Sequence, residues 1–572
     1  MRVVATAGHV DHGKSTVVHA LTGIDPDRLE EEKRRGLTID LGFAHTTLPS
    51  GEDISFIDVP GHVRFVANML AGVGAVDACL FIVAATEGWK PQSEEHLRIL
   101  ELLGIGHGLI ALTKVDGVDD DDRELARLDI MERTNGTFLA GCDVVEVAAP
   151  TGFGLDELRQ ALDRLVAVTP AASDRGRPRL WIDRSFAAKG SGTVVTGTLT
   201  GGKLAVDDVI DIVPLGRSAR IRAIQTTGRT VDRIGPGHRV AVNLVGIEHT
   251  GPSRGDALVH GEQWRPTKTF DASLDVLASL DHDVSRRGAF VAHMGAGEWP
   301  VRVRVLGRDV LAPGHRGAVR LHLPVAVPLV AGDRFVLRES GRAETVGGGE
   351  VLDVAPVLRA SRARPDRSVD RVIAERGAVL ASDLEALTGE RRPPNLGPFV
   401  AAPDRLAALL TETREAIDAA GSVGLDLAVC DDLHRLALDL LDEAEVMGGR
   451  ARRRVSIDPL ADHPYIAALA AGRLAPPGPD GVDRAELREL VRRGYVVERD
   501  GVWFHPAAVA EATSRLAPIL RSNEGGITAS QAREAFGVSR KYALPLLGEL
   551  DARGITRRRG DLRVAGPRLP PD

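Results

Sequence analysis

At 572 residues the chain is too long for one core, so three to six domains of ordinary size are expected. It is 43% hydrophobic and 27% charged, and a formal net charge of −8 excludes a uniformly basic nucleic-acid coat, so any RNA contact must be a local patch. Three distant cysteines (Cys79, Cys142, Cys430) without a CxxC pair exclude a disulfide framework, and no apolar run approaches the ~18 residues of a membrane span. Met1 leads straight into an apolar strand with no basic-then-apolar leader, so a cytoplasmic protein is expected.

Residues 1–172 alternate short apolar runs (Val3–Ala7, Ile54–Asp58, Ala78–Ala85, Leu109–Thr113) with helix-period segments (Lys14–Leu21, Val63–Ala71, Ser93–Leu103). That alternation predicts a parallel sheet covered on both faces. Between the first strand and helix stands Gly8-His9-Val10-Asp11-His12-Gly13-Lys14-Ser15, then Thr16, with the spacing and setting of a phosphate-binding loop. Its glycines let backbone N–H groups wrap phosphates, the helix N-terminus adds its dipole, Lys14 spans the β and γ oxygens, and Ser15 is expected to ligate Mg2+. Thr38 follows in a charged stretch, where its hydroxyl and carbonyl would complete the metal's shell only with a triphosphate bound.

Asp58-Val59-Pro60-Gly61-His62 ends the next long strand. Asp58 is placed to hold Mg2+ through water, and the Gly61 N–H to reach a γ-phosphate. Thr113-Lys114-Val115-Asp116 closes a later strand. A carboxylate at Asp116 accepts two hydrogen bonds from guanine N1 and N2, which adenine cannot offer, while the Lys114 stem lies along the base. The expected ligands are therefore GTP/GDP with Mg2+, in a switch built on an α/β P-loop GTPase domain.

Ala171–Pro178 is small, polar and Pro-bearing, and reads as a linker. From Leu180 to about Leu352, short strands punctuated by glycine predict two β-barrel domains, divided at Gln263–Thr267. After Ala355, helical segments alternate with short hairpins, as at Tyr495–Val497 with Val502–Phe504 and Ile555–Arg557 with Leu562–Ala565. This predicts an α+β array of tandem winged-helix modules. The expected domains are 1–172, the GTP-binding domain; 178–263 and 267–357, the barrels; and 366–572, four modules at about 366–419, 420–460, 463–512 and 513–572. Residues 521–572 hold ten Lys/Arg and six Asp/Glu, net +4 in an acidic chain. Arg540, Lys541, Arg557, Arg558 and Arg559 cluster at a helix start and on the last hairpin, where cations of a winged helix meet a nucleic-acid backbone.

GHVDHGKS, RRGLTID, DVPGH and TKVD stand in the order found in translational GTPases of the elongation factor Tu type, which the chain resembles over about residues 1–355. Within that class the resemblance is to the selenocysteine-specific elongation factors (SelB). It is carried by Glu31–Gly42, Phe65–Gly74, Ile182–Phe186 with Lys189–Gly197, Thr345–Asp353 and Ser539–Arg559. The resemblance implies a monomeric GTPase that delivers selenocysteinyl-tRNA to the ribosome at UGA codons and grips a selenoprotein mRNA hairpin with its last modules. It implies that His62 positions the attacking water and that Val10 and Leu37 form an apolar gate before it.

The resemblance also places a selenocysteinyl pocket at Asp183, Arg184 and Arg239, with Phe43 where relatives have tyrosine. A selenol is ionised at neutral pH and a serine hydroxyl is not, so arginines there would discriminate by charge. Thr113 stands where most GTPases have asparagine. Val147-Ala148-Ala149 replaces the usual Ser-Ala contact, so the Ala148 N–H is expected to reach the guanine oxygen. Three other functions stay open: a general or initiation-type translational GTPase, the GTPase subunit of a sulfate-activating enzyme, and a DNA-binding array on a degenerate GTPase.

Overall fold

The apolar runs of the N-terminal region become β1 (Arg2–Ala7), β2 (Gly42–Thr47), β3 (Asp53–Asp58), β4 (Ala78–Ala84), β5 (Gly108–Thr113) and β6 (Val144–Val147). They pair in the order β2–β3–β1–β4–β5–β6, all parallel except β2, which runs antiparallel to β3 at the edge. Central β4 is buried at every residue, as a strand covered on both faces must be. Val17, Val18 and Leu21 of α1 (Lys14–Thr22) cover one face, and α2 (Glu30–Arg35) leads into β2. The other face is covered by Met69 and Leu70 of α3 (Val66–Val73), Leu97 and Leu100 of α4 (Pro91–Leu102) and Ile130 of α5 (Asp120–Thr134). Leu158 and Leu162 of α6 (Leu155–Val168) join α1. The three motif loops follow β1, β3 and β5 at their C-terminal ends, the edge where open α/β sheets bind ligands.

The computed structural model describes residues 2–35, 37–188, 192–454, 458–523 and 525–571. Gly36 of the RRGLTID stretch and Lys189–Ser191 of the Lys189–Gly197 stretch therefore lie outside the described residues. Two units are distinguished: Met1–Pro394 with Pro398–Val400, and Asn395–Gly397 with Ala401–Asp572.

In the first unit, Val209–Val213, Ala257–Val259, Arg179–Trp181, Gly192–Thr200, His238–Val245 and Arg217–Thr226 pair in sequence, and the last returns to the first. Six strands of Thr267–Asp353 close a second barrel around Phe270 and Phe335, whose rings meet edge to face at 6.3 Å. Both expected barrels are present. Arg177, stacked on Trp264, donates to Gln263 O (2.7 Å), Glu385 O (2.9 Å) and Ala386 O (3.1 Å). It thereby ties the linker and barrel junction to the last turn of helix Ala381–Thr388, where a cation suits the exposed carbonyls.

The second unit holds winged-helix architecture, with module edges that differ from the expectation. Helix Pro403–Ala419 packs its Ile417 with Leu438, Leu441, Ala444 and Ala451, so it opens a module instead of closing the one before. Helix Pro506–Ser522 likewise runs through the expected edge at 512/513. Its Ala508, Val509, Ala512 and Leu516 share a core with Phe536, Leu546 and Leu550. The physical reason is that each helix buries its apolar face against the residues that follow it, while Pro403 and Pro506 only open these helices at first-turn positions. The last module then reads helix Pro506–Ser522, strand Ile527–Thr528, helices Ala529–Phe536 and Arg540–Ala552, and hairpin Thr556–Arg559/Leu562–Ala565. No described helix is long and apolar enough to cross a membrane, and the cysteines form no disulfide.

These edges predict that a fragment 500–572 unfolds cooperatively on heating while 513–572, stripped of Ala508, Val509 and Ala512, does not; circular dichroism melts distinguish them.

Candidate functional site

The loop Gly8–Ser15 is gripped by the elements around it. Gly8 has φ +130°, and a Cβ there would lie 2.1 Å from Ile82 O, so only glycine fits. Its N–H donates to His96 Nδ1 (3.1 Å), and Val10 N–H to Gln92 Oε1 (3.3 Å), both side chains from α4. Thr113 Oγ1 donates to His12 O (2.6 Å), so the residue that departs from the common asparagine still braces the loop. Gly61 approaches so closely that a Cβ would meet Lys14 Nζ at 2.3 Å and Val10 N at 2.7 Å, bringing the β3 loop onto the phosphate loop.

Lys14 is fully enclosed. Burial pulls its ammonium down to about 8, with Asp58 opposing, and Nζ donates to His9 O (2.6 Å) and Gly8 O (3.2 Å). Ser15 Oγ donates to Asp58 Oδ2 (2.7 Å) and lies 2.8 Å from Thr38 Oγ1, while Thr6 Oγ1 holds the other Asp58 oxygen (2.7 Å). Burial pushes the Asp58 carboxyl up to about 6. Ser15, Thr38 and Asp58, widely separated in the chain, are thus one cluster of hard oxygen donors. Asp27 completes it, accepting from Thr38 Oγ1 at 2.8 Å. Sequence reasoning missed Asp27, Gln92 and His96; the four-residue spacing of the last two puts them on one helix face, but nothing local says what that face meets.

Elsewhere the placement of the expected residues is mixed. His62 is half-exposed, and its Nδ1 accepts the Arg64 N–H (3.2 Å). Val10 and Leu37 are half-buried, and Asp11 and Thr16 are exposed around the loop. Asp116 is exposed just beyond β5, with Lys114 in a left-handed conformation 3.3 Å from Glu87. One expectation fails: the Ala148 N–H already donates to Phe153 O (3.1 Å), because a tight turn closes there, so it is not free for a base.

At the junction of β2 and the first barrel, Phe43, Arg184, Asp183 and Arg239 come together. Both guanidiniums stack on the Phe43 ring, at 4.3 Å for Arg184 and 3.3 Å for Arg239. Asp183 pairs with Arg239, not with its neighbour Arg184, and also accepts from Thr196 Oγ1 (2.6 Å). Arg184 instead donates to Leu41 O. A cavity of about 190 Å3 lies beside this group, lined by Phe43, His45, Thr196, Gln225, Thr227 and Arg239. In the last module Arg540, Lys541, Arg557, Arg558 and Arg559 are all exposed, without ion pairs among the described residues.

Residues 1–168 match the elongation factor Tu GTP binding domain, 271–357 the beta-barrel domain of selenocysteine-specific elongation factor, and 519–565 the winged helix of elongation factor SelB. The selenocysteine-specific elongation factor of Desulfomicrobium baculatum is 32% identical over 98% of this chain and 99% of its own length. That of Escherichia coli (strain K12) is 32% identical over 98% of each. The chain belongs to the selenocysteine-specific elongation factors. A crystal structure of a bacterial member of the family, EF-Sec, superposes with TM-score 0.74 at 25% identity, over 99% of both chains. SelB from Methanococcus maripaludis, in complex with the GTP analogue GppNHp, shares the fold over 62% of this chain and 80% of its own (TM-score 0.54, 23% identity). Membership makes the chain a GTP-binding translational GTPase and does not favour the general-elongation, sulfate-activating or degenerate-GTPase readings.

His96 yields a test. Burial holds its imidazole down at about 3, below the ordinary 6.5, so on acidification the unfolded chain takes up the proton first and stability falls. Between pH 6.5 and 5.5 this one group costs about 1 kcal/mol. His96→Gln keeps an acceptor for Gly8 and does not titrate. Its denaturation midpoint should fall less than the wild type's over that interval.

Proposed function

We propose that this chain carries selenocysteinyl-tRNA to the ribosome in the cytoplasm, reads a selenoprotein mRNA hairpin, and releases its cargo when GTP is hydrolysed. The observation that carries this is the contact between Arg184, stacked on Phe43 beside the cavity, and the carbonyl of Leu41, three residues after Thr38. It joins a residue expected to sense the triphosphate to a cavity of the size of an amino-acid side chain.

In this reading Gly8–Thr16 wraps the phosphates, Asp116 with Thr113 and Lys114 selects guanine, and the Gly61 N–H reports the γ-phosphate. Ser15, Thr38 and Asp58, the last through water, are hard oxygen donors of the kind Mg2+ prefers, and they would hold that ion. When bound, the ion neutralises phosphate charge. Enclosure of Lys14 places a cation where the terminal phosphates would lie, and desolvation strengthens its pull. His62 orients the attacking water, behind Val10 and Leu37, once the ribosome supplies the closed geometry.

The cargo group faces Arg239, whose charge Asp183 offsets in part. A selenolate would therefore sit against a guanidinium already oriented by a carboxylate, while a neutral serine hydroxyl would gain little there. RNA contact is divided between two patches. One is Arg540, Lys541 and Arg557–Arg559. The other is a cleft of the second barrel and the segment after it, lined by Arg286, Arg302, Arg304, Arg308, Arg364 and His322 with one acid, Asp309, none of the arginines with an ion pair among the described residues.

With a GTP analogue present, selenocysteinyl-tRNA should bind at least tenfold more tightly than seryl-tRNA in competition. Equal affinities would remove the selenocysteine assignment and leave the GTPase. Replacing Arg557, Arg558 and Arg559 with alanine should leave GDP affinity unchanged and weaken hairpin RNA. It should also lower the slope of log affinity against log salt by about 2 to 3, close to one for each phosphate left without its cation.

A further inference from the structure

Glu32 is the one carboxylate of the solvent-facing α2 that is buried, at 3% exposure, while Glu30 and Glu31 beside it are exposed. It makes no ion pair with the cations that follow it; Arg35 pairs with Glu31 instead. Both Glu32 oxygens are spent on backbone. Oε2 accepts from Arg28 N (3.0 Å) and Leu29 N (2.8 Å), and Oε1 from Ile39 N (3.0 Å) and Asp40 N (3.0 Å). One side chain therefore clamps the chain before α2 to the two peptides directly after Thr38, with no strand ladder to do so.

The clamped segment is also fixed from the far side. Asn68 Nδ2 of α3 donates to Ile39 O (2.8 Å), and Arg254 of the first barrel reaches both Asn68 Oδ1 (3.1 Å) and Asp40 (3.3 Å). Arg184 holds Leu41 O. Thr38 itself is buried against Ser15 and Asp27. Its backbone can leave that position only if the Ile39 and Asp40 N–H groups give up Glu32. A carboxylate meets four N–H donors with two acceptor oxygens; an amide of the same shape turns an N–H2 toward two of them. Buried donors left facing donors are costly, so the clamp depends on Glu32 being a carboxylate.

We propose that Glu32 is a positioning residue that acts through Thr38, holding it inward and so setting the preference of the site for GTP over GDP. This rests on the reading of Thr38 as the triphosphate sensor. The four N–H groups that Glu32 holds all lie outside Gly8–Thr16, so its loss reaches the phosphate loop only through Thr38 and affects the two nucleotides unequally.

The test uses the full chain with fluorescent GDP and a non-hydrolysable GTP analogue. In Glu32→Gln, GDP affinity should stay within about twofold of wild type and GTP-analogue affinity should fall at least tenfold. Amide exchange over residues 37–41 with the analogue bound should speed up. An unchanged ratio, or an equal loss for both nucleotides, overturns the proposal. Thr38→Ala separates the two readings: if it leaves the ratio intact, Thr38 is not the sensor, whereas if it lowers the ratio and Glu32→Gln does not, only the clamp fails. Should Glu32→Gln bind no nucleotide, Asn68→Ala carries the same test, since it releases Ile39 O from α3 without changing Glu32. It should lower the ratio about threefold, and no change would overturn the proposal.

Discussion

The rest of the first unit depends on how the loop Gly8–Ser15 is held. A phosphate-binding loop must aim N–H groups at a ligand, so it cannot stabilise itself by pairing them within the chain. Its rigidity has to come from outside contacts. Here the outer edge of the loop is pinned by a backbone approach at Ile82, a threonine from β5 and two side chains from α4. Of the loop's own hydrogen-bonding groups these contacts take only the Gly8 and Val10 N–H and the His12 carbonyl. Burial keeps His96 neutral, which is what allows its Nδ1 to accept from Gly8 rather than repel it.

That dependence reaches beyond the GTPase domain. The helix that supplies Gln92 and His96 also carries Glu95, which accepts from Arg338 (3.0 Å) and Thr345 (3.1 Å) of the second barrel. The same helix therefore touches the phosphate loop and a barrel. On the other side of the site, the Leu41 carbonyl and the Asp40 carboxylate, just after Thr38, are held by Arg184 and Arg254 of the first barrel. The first barrel thus bears on the nucleotide loops through short polar contacts, whereas the second also shares apolar core with this domain, Val336 packing with Leu97, Leu100 and Leu102. Polar contacts of this kind break when a segment moves by a few ångströms, whereas packed cores resist such movement.

The nucleotide motifs are legible because their chemistry demands fixed residue types at fixed spacing, and Gly8, Lys14, Ser15 and Asp58 lie together in the fold. Asp27, Glu32 and His96 were not legible. An acid in a charged run and a histidine on an amphipathic helix have ordinary local explanations, and only the tertiary fold brings them to the loop. Asp183 illustrates the same limit, since it pairs with Arg239 across the barrel and nothing local in the chain brings the two together. The module edges expected at 419/420 and 512/513 fall at the end of one helix and inside another, because which core a helix serves is set by tertiary packing and not by its own sequence. The Ala148 expectation failed because a turn, invisible in composition, had already taken its N–H.

Charge counting singles out the last module as basic but passes over the arginine-lined cleft of the second barrel, because arginine is abundant throughout this chain. What separates the two kinds of arginine is pairing. Arg320 and Arg563 are nearly buried and held by Asp271 and Asp551, so their charge is already compensated inside the protein. Arg302, Arg304 and Arg557–Arg559 are exposed and have no carboxylate partner among the described residues. Backbone binding draws its free energy from releasing the counterions condensed on a nucleic acid, and a cation already neutralised by a carboxylate displaces few of them. An acidic chain can therefore present two strongly cationic surfaces, provided that its acids are spent on other arginines.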